Sequence, residues 1–83
     1  MRTVYGIYEF VRIDGIDTML DTIYQSREDA VEAINRRCYD IFKDSAVRDF
    51  AELRWSGDSL IADDEYTTYA KWTIIPLKLK VKY

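Results

Sequence analysis

The chain has 83 residues, 12 of them basic and 15 acidic, and contains no histidine, so its formal charge is −3. Without histidine the usual zinc sites and histidine-based acid–base catalysis are excluded, and the negative balance argues against a general nucleic-acid binder. A 48% hydrophobic, 33% charged composition is that of an ordinary folded domain, which sets the expectation of one domain over residues 1–83 with a modest core.

Residues Thr3 to Ile13 are rich in Val, Ile, Tyr and Phe, and Asp14-Gly15 follows as a hairpin signal, with Ile16 to Tyr24 expected to return antiparallel. A two-residue loop at Asp14-Gly15 would set Ile13 against Ile16, Arg12 against Asp17, Phe10 against Met19 and Tyr8 against Asp21. One face then carries Tyr5, Ile7, Val11, Ile13, Ile16, Leu20 and Tyr24, and the other Val4, Tyr8, Phe10, Met19 and Ile23. Both faces are apolar, and a helix can cover one of them. The second calls for the C-terminal segment, another copy of the chain, or a different partner.

Ser26 to Lys43 carry the strongest pattern. Ser26 is placed to cap a helix, Glu28 and Asp29 put negative charge in its first turn, and Ala30, Ile34, Cys38, Ile41 and Phe42 recur every three or four residues. Cys38 is the only cysteine, so no disulfide forms within the chain, and its place on the apolar side predicts a buried thiol. Asp44 to Ala46 reads as a break or kink, and Val47, Phe50, Ala51 and Leu53 as a short second helix or a continuation of the first.

Beyond it, Ser56 to Ser59 reads as a turn, Leu60 to Ala62 as a short strand, and Asp63, Asp64 and Glu65 as an exposed acidic connection. Tyr69 to Ile75 predicts another strand, and strict alternation resumes after Pro76 through Leu77, Lys78, Leu79, Lys80, Val81, Lys82 and Tyr83. Pro76 donates no ladder hydrogen bond, which predicts an edge strand or a bend there. The expected fold is therefore α+β, an antiparallel sheet in a ββαββ-like order packed on one main helix.

Three groups of side chains are candidates for function. Asp58, Asp63, Asp64 and Glu65 lack the spacing of a calcium loop, so no metal and no cofactor is expected, and an acidic patch for a basic partner surface is the functional reading. Tyr66 and Tyr69 flank that patch and would supply contact area, while Tyr5, Tyr8, Phe10 and Trp72 divide between core and surface. Lys78, Lys80 and Lys82 could meet phosphates, with Tyr69, Trp72 or Tyr83 stacking on bases, although lysines on an edge strand also discourage aggregation. Serine and threonine nucleophiles have no histidine base, and no glycine-rich phosphate loop is present, so no catalytic residue is expected. No apolar stretch approaches the length of a membrane span and the N-terminus lacks a secretory pattern, which makes the cytoplasm the expected location.

Val4-Tyr5, Tyr8-Glu9-Phe10, Asp14-Gly15, Ile23-Tyr24, Ser26, Glu28, Ala30, Ala33 and Ile34 together resemble small uncharacterised hairpin-helix proteins of phages and bacteria, with Glu65-Tyr66 and Trp72 similar to their later strands. The lysine-alternating tail departs from that pattern. The resemblance implies a non-enzymatic accessory protein that binds and blocks a host protein or complex, as anti-CRISPR proteins do. Alternatives are a nucleic-acid-binding module using the lysine strand, or a homodimer built on the spare apolar face.

Overall fold

The computed structural model describes residues 2–43 and 51–79. Five strands, β1 (Arg2–Val11), β2 (Ile16–Met19), β3 (Glu52–Ser56), β4 (Ser59–Asp63) and β5 (Thr68–Leu79), form one antiparallel sheet in the order β2-β1-β5-β4-β3. The helix α1 (Arg27–Phe42) lies across it, and the fold is the expected α+β class with one more strand than the sequence pattern suggests.

Helix α1 starts where its cap dictates: Ser26 Oγ accepts the Asp29 amide at 3.1 Å, leaving one fewer orphan donor in the first turn. Ala30, Ile34, Cys38 and Phe42 are buried, and Ile41 packs beside them. Opposite them stand Ile7 and Val11 of β1, Leu60 and Ala62 of β4, and Ala70, Trp72 and Ile74 of β5.

The β1–β2 hairpin pairs in a register displaced from expectation. Val11 faces Ile16, Phe10 faces Asp17 and Tyr8 faces Met19, so Arg12 to Gly15 form a four-residue loop. Of the loop residues only Gly15 takes a positive φ, at 66°; a two-residue Asp14-Gly15 turn of the common hairpin kind would have required one at Asp14 too. Arg12 is drawn elsewhere: its amide donates to Tyr69 O at 2.8 Å and its Nε to Thr68 O at 2.9 Å. Because the displacement is an even number of residues, no side chain changes face. Tyr5, Ile7, Val11, Ile16, Leu20 and Tyr24 all pack toward the helix, while Ile13 stands in the loop, 75% exposed. On the other face Val4 is buried, Tyr8 and Phe10 are half-buried, and Met19 and Ile23 are exposed. β2 ends at Met19, earlier than expected, and Tyr24 rejoins β1 through a single bridge to Tyr5.

Two further expectations are corrected. The second helix does not extend to Leu53: Glu52–Ser56 is strand β3, with Leu53 and Trp55 alternating with Glu52 and Arg54, and Val47 and Phe50 lie outside the described residues. The period of two outweighs the looser helical spacing because Ser56 to Ser59 closes a tight hairpin to β4. β5 runs unbroken through Pro76 and is central rather than peripheral, paired with β1 from Ala70 to Leu79. Its β4 neighbour, however, reaches only to the Ser59–Thr73 pair, and the Ile74 amide closes that side on Asp58 O at 2.8 Å. Pro76, two residues on, directs its missing donor to the same side, past the end of β4, where no partner strand is deprived.

Candidate functional site

Glu9 is the most unusual side chain in the interior. The core face of β1 carries it between Ile7 and Val11, directly across from Trp72 on β5, and it is wholly buried. Its carboxylate accepts three hydrogen bonds. Arg37, arriving from α1, donates Nε to Oε2 at 2.7 Å and Nη2 to Oε1 at 2.9 Å, and the Trp72 indole Nε1–H donates to Oε2 at 2.7 Å. The guanidinium hydrogen bonds hold the carboxyl below its ordinary range against the opposing effect of burial, and the indole bond adds to them. Both carboxylate oxygens accept hydrogen bonds, and the side chain is closed to solvent. It anchors the helix on the sheet, and the outward part of Arg37 remains half exposed.

The acidic connection is a structured turn. Asp64 Oδ1 accepts the amides of Tyr66 and Thr67, both at 2.8 Å, its own amide donates to Thr67 O at 3.0 Å, and Tyr69 donates its hydroxyl to Oδ2 at 2.5 Å. These bonds, the Tyr69 hydroxyl first, lower the Asp64 pKa and correspondingly raise that of Tyr69. Asp63 pairs with Arg54 at 3.0 Å. The turn thus commits Asp63, Asp64 and Tyr69 to holding shape and leaves Glu65 and Tyr66 outward, Tyr66 at 90% exposure. Glu52, Asp63, Asp64 and Glu65 line one open depression of about 350 Å³. Among the described residues no group of carboxylates or thiols has metal-holding geometry.

The remaining expected site residues are dispersed. Asp58 sits at the opposite end of β4, where Arg27 Nε meets it at 3.0 Å, so it does not share a site with Asp63 to Tyr66. Lys78 is exposed on β5, while Lys80, Lys82 and Tyr83 lie outside the described residues. Trp72 is fully buried and cannot stack on a base.

A second surface went unread because it depends on β3. Tyr39 and Phe42 of α1 face Leu53 and Trp55 of β3 across an apolar groove of about 430 Å³, floored by Leu60 and Cys38. Tyr39 is 68% exposed, Leu53 55% and Trp55 38%. The alternation Glu52-Leu53-Arg54-Trp55 was the available signal. The Cys38 thiol at the groove floor is pushed up to about 11 by burial, so little thiolate forms at neutral pH. Native protein should therefore react with a disulfide reagent orders of magnitude more slowly than protein unfolded in urea; comparable rates would show the thiol accessible.

No helix among the described residues is long and apolar enough to cross a membrane. No family model, curated protein or solved structure matches the chain.

Proposed function

We propose that this protein acts by stoichiometric binding to another protein, with the turn from Asp63 to Tyr66 as its contact, and that it performs no catalysis. One observation carries the reading: Tyr66 is 90% exposed, yet its backbone is fixed by the Asp64 carboxylate in a hydrogen-bonded turn. An aromatic side chain held out on a pre-ordered turn gives contact area at little entropic cost. The surrounding carboxylates select a basic partner surface and its orientation. In its most concrete form the partner is a bacterial host-defence complex, blocked at a basic surface; the net charge of −3 favours approach to a basic surface.

The geometry also chooses the test. Asp63 and Asp64 hold the turn together, so replacing them confuses folding with binding; Tyr66→Ala and Glu65→Lys change outward side chains and leave the turn's bonds in place. Quantitative pull-down from bacterial lysate should show a partner captured by the wild-type protein and weakened by about tenfold or more with Tyr66→Ala. Equal capture by wild type and both variants would refute the assignment of the turn.

A further inference from the structure

Among the described residues strand β3 ends the sheet, and the bonding pattern shows which way its backbone groups point. Ser56 pairs with Ser59 across the Gly57-Asp58 loop, where Gly57 alone has a positive φ, at 59°, as in a type II′ hairpin. In such a hairpin the pair flanking the loop exchanges both bonds, and so do Arg54 with Ile61 and Glu52 with Asp63. The Asp58 carbonyl, turned toward β5, agrees with this alternation. Leu53 and Trp55 therefore direct their N–H and C=O groups away from the sheet, and Ala51 directly precedes the strand.

The side chains along this edge are complementary about Leu53 in charge and in size. Reading outward from Leu53, an acid and then a small apolar residue lie on one side, Glu52 and Ala51, and a base and then a large apolar residue on the other, Arg54 and Trp55. Glu52 lies directly opposite Asp63 within the chain, a like-charge pair in which Arg54 bridges Asp63 at 3.0 Å and, among the described residues, no cation bridges Glu52.

We propose that β3 is a self-association edge that pairs antiparallel with β3 of a second copy, centred on Leu53, to give a two-fold dimer with one continuous ten-stranded sheet. Leu53 exchanges both backbone bonds with its copy, and each Trp55 does so with Ala51 of the other chain. Glu52 then stands opposite Arg54 of the second copy, twice, in the non-hydrogen-bonded positions where side chains approach most closely. Trp55 lies beside the small Ala51, and Leu53 and Trp55 lose their exposure on the groove side. The backbone alternation would equally permit centring on Arg54, but that sets arginine against arginine; centring on Leu53 is chosen by charge. The interface does not use Tyr66 or Glu65, but Arg54 also pairs with Asp63 and Glu52 lines the acidic depression, so Leu53→Pro, which changes neither charge, is the variant that separates it from the binding turn.

Sedimentation equilibrium of the full chain, from low micromolar to millimolar concentration, tests this with four variants. The wild type should dimerise. Leu53→Pro removes an outward N–H without touching the β4 ladder and should yield a monomer with unchanged far-UV circular dichroism. Glu52→Arg and Arg54→Glu each place like charges together and should raise the dissociation constant about tenfold, while the double exchange should restore it. A wild type monomeric at millimolar concentration would overturn the proposal. So would dimerisation indifferent to Leu53→Pro in a folded variant. Should Leu53→Pro not fold, the charge exchange decides: failure of the double variant to recover counts against the Leu53-centred register.

Discussion

Arg37→Met is expected to destabilise the protein by about 3 kcal/mol or more at neutral pH, lowering the midpoint of thermal unfolding by at least about 12 °C for a domain of this size. The loss is not that of a surface ion pair, although Arg37 itself is half exposed; it comes from Glu9, which would be left wholly buried with the Trp72 indole as its one remaining donor. The pH dependence separates this cause from lost packing. In the wild type Arg37 lowers the Glu9 pKa, so the stability it contributes is present above the unfolded carboxylate value, about 4.3, and is lost as pH falls through the lower folded value. In the variant burial is left to dominate and raises the Glu9 pKa, so the penalty grows as pH rises above the unfolded value. The gap between the two proteins should narrow below about pH 4. A gap constant across pH would show that the methylenes of Arg37, not its charge, carry the effect. Adding Glu9→Leu to Arg37→Met should recover much of the loss, since an apolar pair of similar volume removes the uncompensated charge.

Trp72→Ala should cost about 3–5 kcal/mol, much of the total stability available to so small a domain, and leave a substantial unfolded fraction at ambient temperature. Trp72 is fully buried at the centre of the sheet, pairs with Glu9 on one side and Leu60 on the other, and meets the edge of Phe42 with ring centroids 6.1 Å apart and planes at 81°. Trp72→Phe keeps most of that contact and loses one donor to Glu9, so it should cost roughly 1–3 kcal/mol. Urea midpoints read by far-UV circular dichroism measure both without interference from Trp55. If the phenylalanine variant were as unstable as the alanine one, the hydrogen bond to Glu9 rather than the ring would be the main contribution.

Both predictions depend on Glu9, and its role illustrates where pattern reading stops. In sequence Glu9 is a polar residue between Tyr8 and Phe10, and alternation only says which face it occupies. Arg37 and Trp72 are far from it along the chain, so no local period joins the three; strand pairing and the placing of α1 bring them together. Trp72 was for the same reason open to reading as a surface aromatic. Tyr66 and Glu65, by contrast, lie in a short polar turn whose exposure is local information, and the Asx-type bonding that orders them uses residues within three positions of Asp64.

Helix α1, its cap at Ser26, the inward side of the first hairpin and the buried Cys38 were determined by the sequence alone, because each follows from a period or a terminal signal contained in a few consecutive residues. The hairpin register, the central place of β5 and the outward-facing edge of β3 were decided by the tertiary structure. These turn on which strand lies beside which, and on backbone groups satisfied by distant partners: Arg12 bonds to Thr68 and Tyr69, and the far half of β5 outruns β4 so that Pro76 deprives no neighbour. Local periodicity selects a face, but only the assembled sheet specifies what that face and its edges meet.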